Sequence, residues 1–197
     1  MNSPASVSAR SLQVREIVLD SALYLFAKKG YFNTSIPDIV RHSGVSTGSI
    51  YHHFADKEDI ARGLYDRHVA QMEDLIRQIE QRHGTTEARC REIIRALFDM
   101  TEKEPLVMEY VLHARHQEFM PGIAPVCSSQ PFQRMRGIVA AGIEKGELRP
   151  MDSMVAAVSL FGGALKFIQF HLDGILERPL ADYFDELWRN AWLAVRN

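Results

Sequence analysis

The chain has 197 residues, 46% of them hydrophobic, enough for one or two domains with a substantial core. A formal net charge of −2 excludes a protein whose whole surface attracts polyanions, and two cysteines, Cys90 and Cys127, exclude a disulfide framework and suit a reducing compartment. The opening residues, MNSPASVSAR, lack the apolar stretch of a signal peptide, and the longest near-apolar run, residues 154–165, is too short to span a bilayer, so a cytoplasmic protein with no membrane partner is expected.

Residues 1–11 are rich in Ser and small side chains and read as a disordered tail, from which Arg10 and, just beyond it, Arg15 can reach phosphates. Val14, Ile17, Val18, Ala22, Leu25 and Phe26 then fall on one helical face. Lys28 and Lys29 place positive charge at the end of that helix, and Gly30 stops it. A second, short helix follows, with Ile36, Ile39 and Val40 on one side. Gly44 stands where the chain must turn. Ser46 is placed to cap a third helix whose apolar positions are Val45, Ile50, Tyr51 and Phe54. A helix, a glycine-containing turn and a second short helix make a helix-turn-helix, whose second helix enters a DNA major groove by its N-terminal end.

The residues themselves carry a family resemblance. Residues 30–60, GYFNTSIPDIVRHSGVSTGSIYHHFADKEDI, resemble the DNA-binding head of TetR-family transcriptional regulators. The pattern is specific over residues 44–54, G-V-S-x-G-x-I-Y-x-H-F, followed by D-K-E at 56–58. Val40 departs from the family's more usual alanine, and Pro37 stands in the first turn of the first helix of the motif, where proline is tolerated. The resemblance implies that DNA is contacted by Ser35, Ser46, Thr47, Gly48, Ser49, Tyr51, His52, His53 and Lys57. The chemistry suits those places. Ser46, Thr47 and Ser49 are short donors, and Gly48 permits close backbone approach. Tyr51 offers a hydroxyl outward and its ring to the core. His52 and His53, diverging on the helix, reach phosphates or base edges without forming a metal pair, and Lys57 holds a phosphate by charge.

Asp56 begins a long helix with Ala61, Leu64, Tyr65, His68, Met72, Leu75, Ile76 and Ile79 on one stripe to about Arg82. Such a helix is roughly 39 Å long at ~1.5 Å per residue, enough to act as a lever between a head and a body. Five more helices are expected. The first, capped by Thr85 or Thr86, carries Cys90, Ile93, Ile94, Leu97 and Phe98; the second runs from Pro105 to about Phe119. After a proline-rich loop, Phe132, Met135, Val139 and Ile143 mark a helix stopped by Gly146. Asp152 caps a helix apolar nearly all round to Leu172, expected to be buried on several sides. Leu180, Phe184, Leu187, Trp188, Ala191, Trp192 and Val195 form the stripe of the last. No segment has the alternation of a strand. The run E-K-G-E-L-R-P at 144–150 also resembles the family's body.

The expected architecture is therefore all-α, with about nine helices: a tail over 1–11, a three-helix helix-turn-helix head over 12–57 and a helical ligand-binding and dimerisation body over 58–197. The head is mildly basic (six Lys/Arg against four Asp/Glu in residues 1–57), and the remainder is acidic (17 against 21). The resemblance further implies a homodimer formed through the last two helices, with Gly162, Gly163, Phe184, Trp188 and Trp192 as interface residues; the alternative is that the tryptophans complete the protomer core. It also implies a small-molecule effector pocket in the body, for which His68, Met72, Phe98, Tyr110, His113, Arg115, Phe119, Phe161 and Phe167 are candidates, each weighed against a plain core role. His113, His116 and Cys127 make a poor zinc set with no fourth ligand, and no metal or cofactor is expected. Cys127 as a redox sensor would need a lowered pKa. Catalytic motifs are absent, so no enzyme is expected. The function implied is a repressor that binds a palindromic operator as a homodimer and is released by an effector. An effector-independent regulator or an activator is the alternative.

Overall fold

The computed structural model describes residues 4–114, 116–125 and 128–197, with side chains from residue 11 onward except that of His113. Ten α-helices account for most of the described chain, and among the described residues there is no strand, only an isolated bridge between Leu148 and Arg196. The helices are α1 (Pro4–Lys29), α2 (Ile36–Ser43), α3 (Thr47–His53), α4 (Lys57–Arg82), α5 (Thr86–Lys103), α6 (Pro105–Met108), α7 (His116–Phe119), α8 (Gln130–Glu144), α9 (Ser153–Leu172) and α10 (Leu180–Leu193). Helix α1 starts at Pro4, inside the stretch assigned to the tail by composition. The chain divides into two compact units: Met1–His68 with Ala114–Ile123, and Val69–His113 with Ala124–Asn197.

The first unit is built on α1. Val18, Leu19, Ala22, Leu25 and Phe26 are buried, as are Ile39 of α2, Ile50 of α3, Phe54 just after it, and Ile60, Ala61 and Leu64 of α4. Each fully buried aliphatic side chain contributes about 1.5–3 kcal/mol, so this small cluster suffices to hold three short helices in a fixed arrangement. Ile17, expected on the buried face, is 39% exposed; Leu19 takes its place in the core.

The second unit packs α5 against α8, α9 and α10. Cys90, Ile93, Ile94, Leu97 and Phe98 of α5 are all buried. Thr85 is the cap of α5, accepting from the Ala88 N–H, while Glu147 Oε2 takes the Thr86 N–H at 2.6 Å. Glu102 Oε1 accepts the Leu180 N–H at 2.8 Å and so closes the start of α10, whose own N-cap is Pro179 and has no side-chain acceptor. Arg134 of α8 bonds Glu73 at 2.6 Å and Glu80 at 2.8 Å, fixing α8 to α4.

Two expectations change here. The single helix from Pro105 to Phe119 is interrupted: a π-helical turn covers Glu109–His113, and a separate helix, α7, begins at His116. Val107, Met108, Tyr110 and Val111 are buried in the second unit, whereas His116, Phe119 and Met120 are buried in the first. Helix α9 is also less enclosed than its composition suggested. Ala156, Leu160, Ala164 and Ile168 are buried, but Met154, Val155 and Val158 are 47%, 53% and 61% exposed. With its full 20 residues and a mean hydropathy of 1.5, α9 does reach the length and apolarity of a membrane span, although the run at 154–165 alone did not. Its inner face packs on α5, α8 and α10.

Candidate nucleic-acid interface

Helix α2 begins with a capping box. Ser35 Oγ accepts the Asp38 N–H at 3.3 Å, and Asp38 Oδ2 accepts the Ser35 N–H at 2.9 Å and its hydroxyl at 2.6 Å. Those bonds from Ser35 hold the Asp38 carboxyl down at about 2. Helix α2 ends at Gly44, whose φ of 69° lies in the left-handed region and whose N–H returns to the Val40 carbonyl at 3.0 Å. Ser46 then caps α3, accepting the Ser49 N–H at 3.2 Å.

This local geometry decides which face of α3 is seen. Ile50 is fully buried and Phe54 nearly so, locking the inner side. Ser46, Thr47, Gly48, Tyr51 and His52 are exposed, and Ser49 and His53 are partly so. No Cβ clash would meet a side chain at Gly48, so the backbone is open to close approach by a ligand. The Tyr51 ring is 53% exposed and stays out of the core, contrary to the expectation that it would lie against it. The rings of His52 and His53 do not diverge: they meet edge to face, with centroids 5.2 Å apart. On α2, Arg41 pairs with Asp38, and His42 stacks on Tyr24 of α1 at 4.8 Å.

Lys57 is the clearest departure. Its Nζ donates to the Tyr31 carbonyl at 2.9 Å and the Thr34 carbonyl at 2.8 Å, and sits 4.1 Å from the Tyr31 ring centroid. Burial pushes the Lys57 ammonium below the ordinary lysine value. The residue thus fastens α4 to the α1–α2 loop, using two of its three donors on backbone. The Tyr31 carbonyl also accepts the Thr34 N–H at 3.1 Å within the turn, so the ammonium adds a second donor to an oxygen with two lone pairs. Tyr31 in turn stacks on Phe119 (4.1 Å, 15°), and Phe32 stands edge-on to both. Sequence patterns carry no signal for this brace, because Phe119 is 88 positions downstream. Arg15, expected near phosphate, lies 5.5 Å from the Phe54 ring and bonds Glu16; the Arg10 side chain lies outside the described residues.

The described effector candidates fall into three settings. His68 in the first unit, and Met72, Phe98 and Tyr110 in the second, are core residues at most 3% exposed. Phe119 belongs to the brace just described. Phe161 lines a small apolar cleft between α8 and α9, and Phe167 lines an open groove of about 430 Å³ between α9 and α10. The side chains of His113 and Arg115, and Cys127 with its proposed metal and redox roles, lie outside the described residues. Among the described residues no group of three His, Cys, Asp or Glu side chains is placed to hold a metal ion. Burial drives the Cys90 thiol up to about 12, which keeps it unreactive.

Of the interface candidates, Phe184 and Trp188 turn inward, 6% and 7% exposed, and so complete the protomer core. Phe98 and Arg95 of α5 meet the Phe184 ring at 6.2 and 4.8 Å, which explains the inward turn. Trp192 stacks on Trp188 at 5.5 Å and is half-buried. Gly163 is exposed and Gly162 half-buried on the outer face of α9.

An exposed polar reading helix on a rigid three-helix support defines a helix-turn-helix DNA-binding protein. Residues 18–64 match the family model described as "Bacterial regulatory proteins, tetR family". The chain is 30% identical over 178 residues to the HTH-type transcriptional regulator AcrR of Shigella flexneri, covering 85% of this chain and 79% of AcrR. It is 24% identical over 149 residues to the fatty acid metabolism regulator protein of Bacillus subtilis, covering 74% and 76%. The fold superposes on a TetR family transcription regulator from Marinobacter aquaeolei with a TM-score of 0.79, at 19% identity and over 96% and 99% of the two chains. It also superposes on FadR from Bacillus subtilis in complex with stearoyl-CoA, with a TM-score of 0.73 at 19% identity over 89% and 96%. The chain belongs to the TetR family of bacterial transcriptional regulators.

Proposed function

We propose that this regulator is a cytoplasmic repressor that binds a palindromic operator as a homodimer and is released by a small molecule held in its C-terminal unit. The observation that carries the reading is the division of α3: Ile50 and Phe54 are buried, while Thr47, Gly48, Tyr51 and His52 face out. Short donors and an imidazole presented this way suit base edges and flanking phosphates in a major groove. Ser35 and Ser46 serve first as caps, and Lys57 acts through the loop it holds. Thr47, Gly48, Ser49, Tyr51, His52 and His53 are the direct contacts.

A homodimer is supported by α9 and α10. Val155 and Val158 leave apolar surface on α9, and the groove beside it is lined by Gly163, Phe167, Leu187 and Ala191. A second copy of the same helix pair would cover this surface, and a two-fold assembly is what a palindrome requires. The name of one relative, a fatty acid metabolism regulator, and the stearoyl-CoA in one structural neighbour support a small-molecule effector here. An effector lowers operator affinity only by binding more tightly to a state whose two reading helices are wrongly spaced.

The test is a mobility shift on promoter fragments from the source organism. Binding to a subset of fragments, steeply weakened by salt, is the expected result. Thr47→Ala with His52→Ala should cost about 10- to 100-fold in affinity without lowering thermal stability. Equal binding of every fragment, or full binding by the double variant, would refute the reading.

A further inference from the structure

The cleft between α8 and α9 has a composition unlike the other grooves of the second unit. Its walls are almost entirely carbon: Phe132 and Met135 of α8 face Ala157, Phe161 and Leu165 of α9, and Met135, Ala157 and Phe161 are at most 6% exposed. Its volume is about 150 Å³. An apolar cavity of this size holds a ring the size of benzene. One charged residue, Arg136, stands in the wall. Its Nε is buried and has no hydrogen-bond partner among the described residues. A guanidinium N–H shielded from water and left without an acceptor is costly.

We propose that this cleft binds a compact apolar monocarboxylate, with the hydrocarbon body between Met135 and Phe161 and the carboxylate accepting from Arg136. A carboxylate matches the charge and the fork of a guanidinium. One negative charge balances one positive charge. A neutral head group would satisfy the donor without the charge, and a second carboxylate would be stranded among carbon. The size of the cleft sets the class at about one six-membered ring or a short branched chain. Met154 and Val158 line the cleft and are exposed, and Val158 belongs to the α9 surface assigned above to the second copy. An occupant would therefore alter the shape of that surface. This last link to DNA release rests on the reading under Proposed function; the binding itself does not.

The experiment titrates the full-length protein with 4-fluorobenzoate and, separately, with the neutral isostere 4-fluorobenzamide, observed by fluorine NMR. Saturable binding of the acid to one site per chain is expected, with a dissociation constant of about 10 µM to 1 mM for so few atoms, and at least tenfold weaker binding of the amide. Arg136→Met should lose most of the affinity for the acid and lower that for the amide far less. Arg136→Gln, which keeps a donor without the charge, should bring acid and amide close together, and serves if the methionine variant does not fold. Equal binding of acid and amide by the native protein, no saturable binding of either, or native affinity in the folded Arg136 variants would overturn the proposal. Operator binding is measured on the same samples. Failure to bind the acid by a protein that still recognises its promoter removes the cleft and leaves the regulator; the reverse removes the regulator and leaves the cleft.

Discussion

Lys57 and Tyr31 are joined twice: the ammonium lies 4.1 Å from the ring centroid and donates at 2.9 Å to the carbonyl of the same residue. With its second bond, to Thr34, it ties the first residue of α4 to the loop that leads into α2. The orientation of α3 follows, because α2 and α3 are joined only by a tight turn at Gly44. Thr34 strengthens the same loop from inside, donating its hydroxyl to the Gly30 carbonyl at 2.9 Å.

Lys57→Met keeps the stem and removes both bonds. A loss of about 1–3 kcal/mol in unfolding free energy is expected, since bonds from a charged donor contribute more than neutral ones and this site is half-buried. Operator affinity should fall with it. The dependence of log affinity on log salt should keep its slope, because no phosphate contact is deleted. A slope reduced by about 0.9 with unchanged stability would mean that the side chain serves a phosphate instead.

The capping box gives the head an acid-sensitive element. Asp38 is held at about 2, below its ordinary 3.8, chiefly by the Ser35 hydroxyl and then by the Ser35 N–H. A depressed carboxyl stabilises the folded state above its unfolded pKa, and that contribution disappears as pH falls through the folded one. The difference in thermal midpoint between native protein and Asp38→Asn should be constant above about pH 5 and shrink as the pH falls through 3.8 and on through about 2. A difference independent of pH over that window would show that the charged form gains nothing from Ser35.

Gly142 of α8 lies against Thr86 at the start of α5. A Cβ at this position would stand 2.7 Å from both Thr86 Oγ1 and Cγ2, and Thr86 is 2% exposed. Gly142→Ala gains about 1 kcal/mol of helix propensity and meets an overpacking cost of about 1–3 kcal/mol on a short side chain that has no room to move. Net destabilisation of about 1–2 kcal/mol by denaturant titration is expected. Gly142→Ala with Thr86→Ser should recover part of it.

Gly163 offers a test of the assembly that spares the protomer. A Cβ there meets nothing within 4 Å, so Gly163→Glu should leave the fold of one chain intact. Placed on the α9 surface assigned to the second copy, two like charges would face each other across the two-fold. Light scattering should give a dimer for the native protein and a monomer for the variant at micromolar concentration. A monomeric native protein would remove the dimer from the account.

Local signals in the chain are legible where one side chain and its neighbours decide the outcome. Gly30 and Gly44 do end helices, Ser46 and Asp152 do cap them, and the long helix does run to Arg82. What stayed hidden depended on partners distant in sequence. The stripe on α10 is apolar whether it faces its own core or another chain, and the contacts of Arg95 and Phe98 with Phe184, distant in sequence, go with its inward turn. Val107, Tyr110, Val111 and Ala114 keep a helical spacing across residues 109–113, so nothing local marks the π-helical turn there. Lys57 carries the charge expected of a phosphate ligand, but the carbonyls of Tyr31 and Thr34 reach it first.

The presentation of α3 to duplex DNA is tested most directly by selecting bound sequences from a random duplex library and weighing the complex formed on the winner. The account expects an inverted repeat with half-sites about one helical turn apart, or a small multiple of it, bound by an even number of chains. Thr47→Ala with His52→Ala should fail to enrich it. Selection that returns no common sequence, or a single unrepeated site held by one chain, would contradict the account.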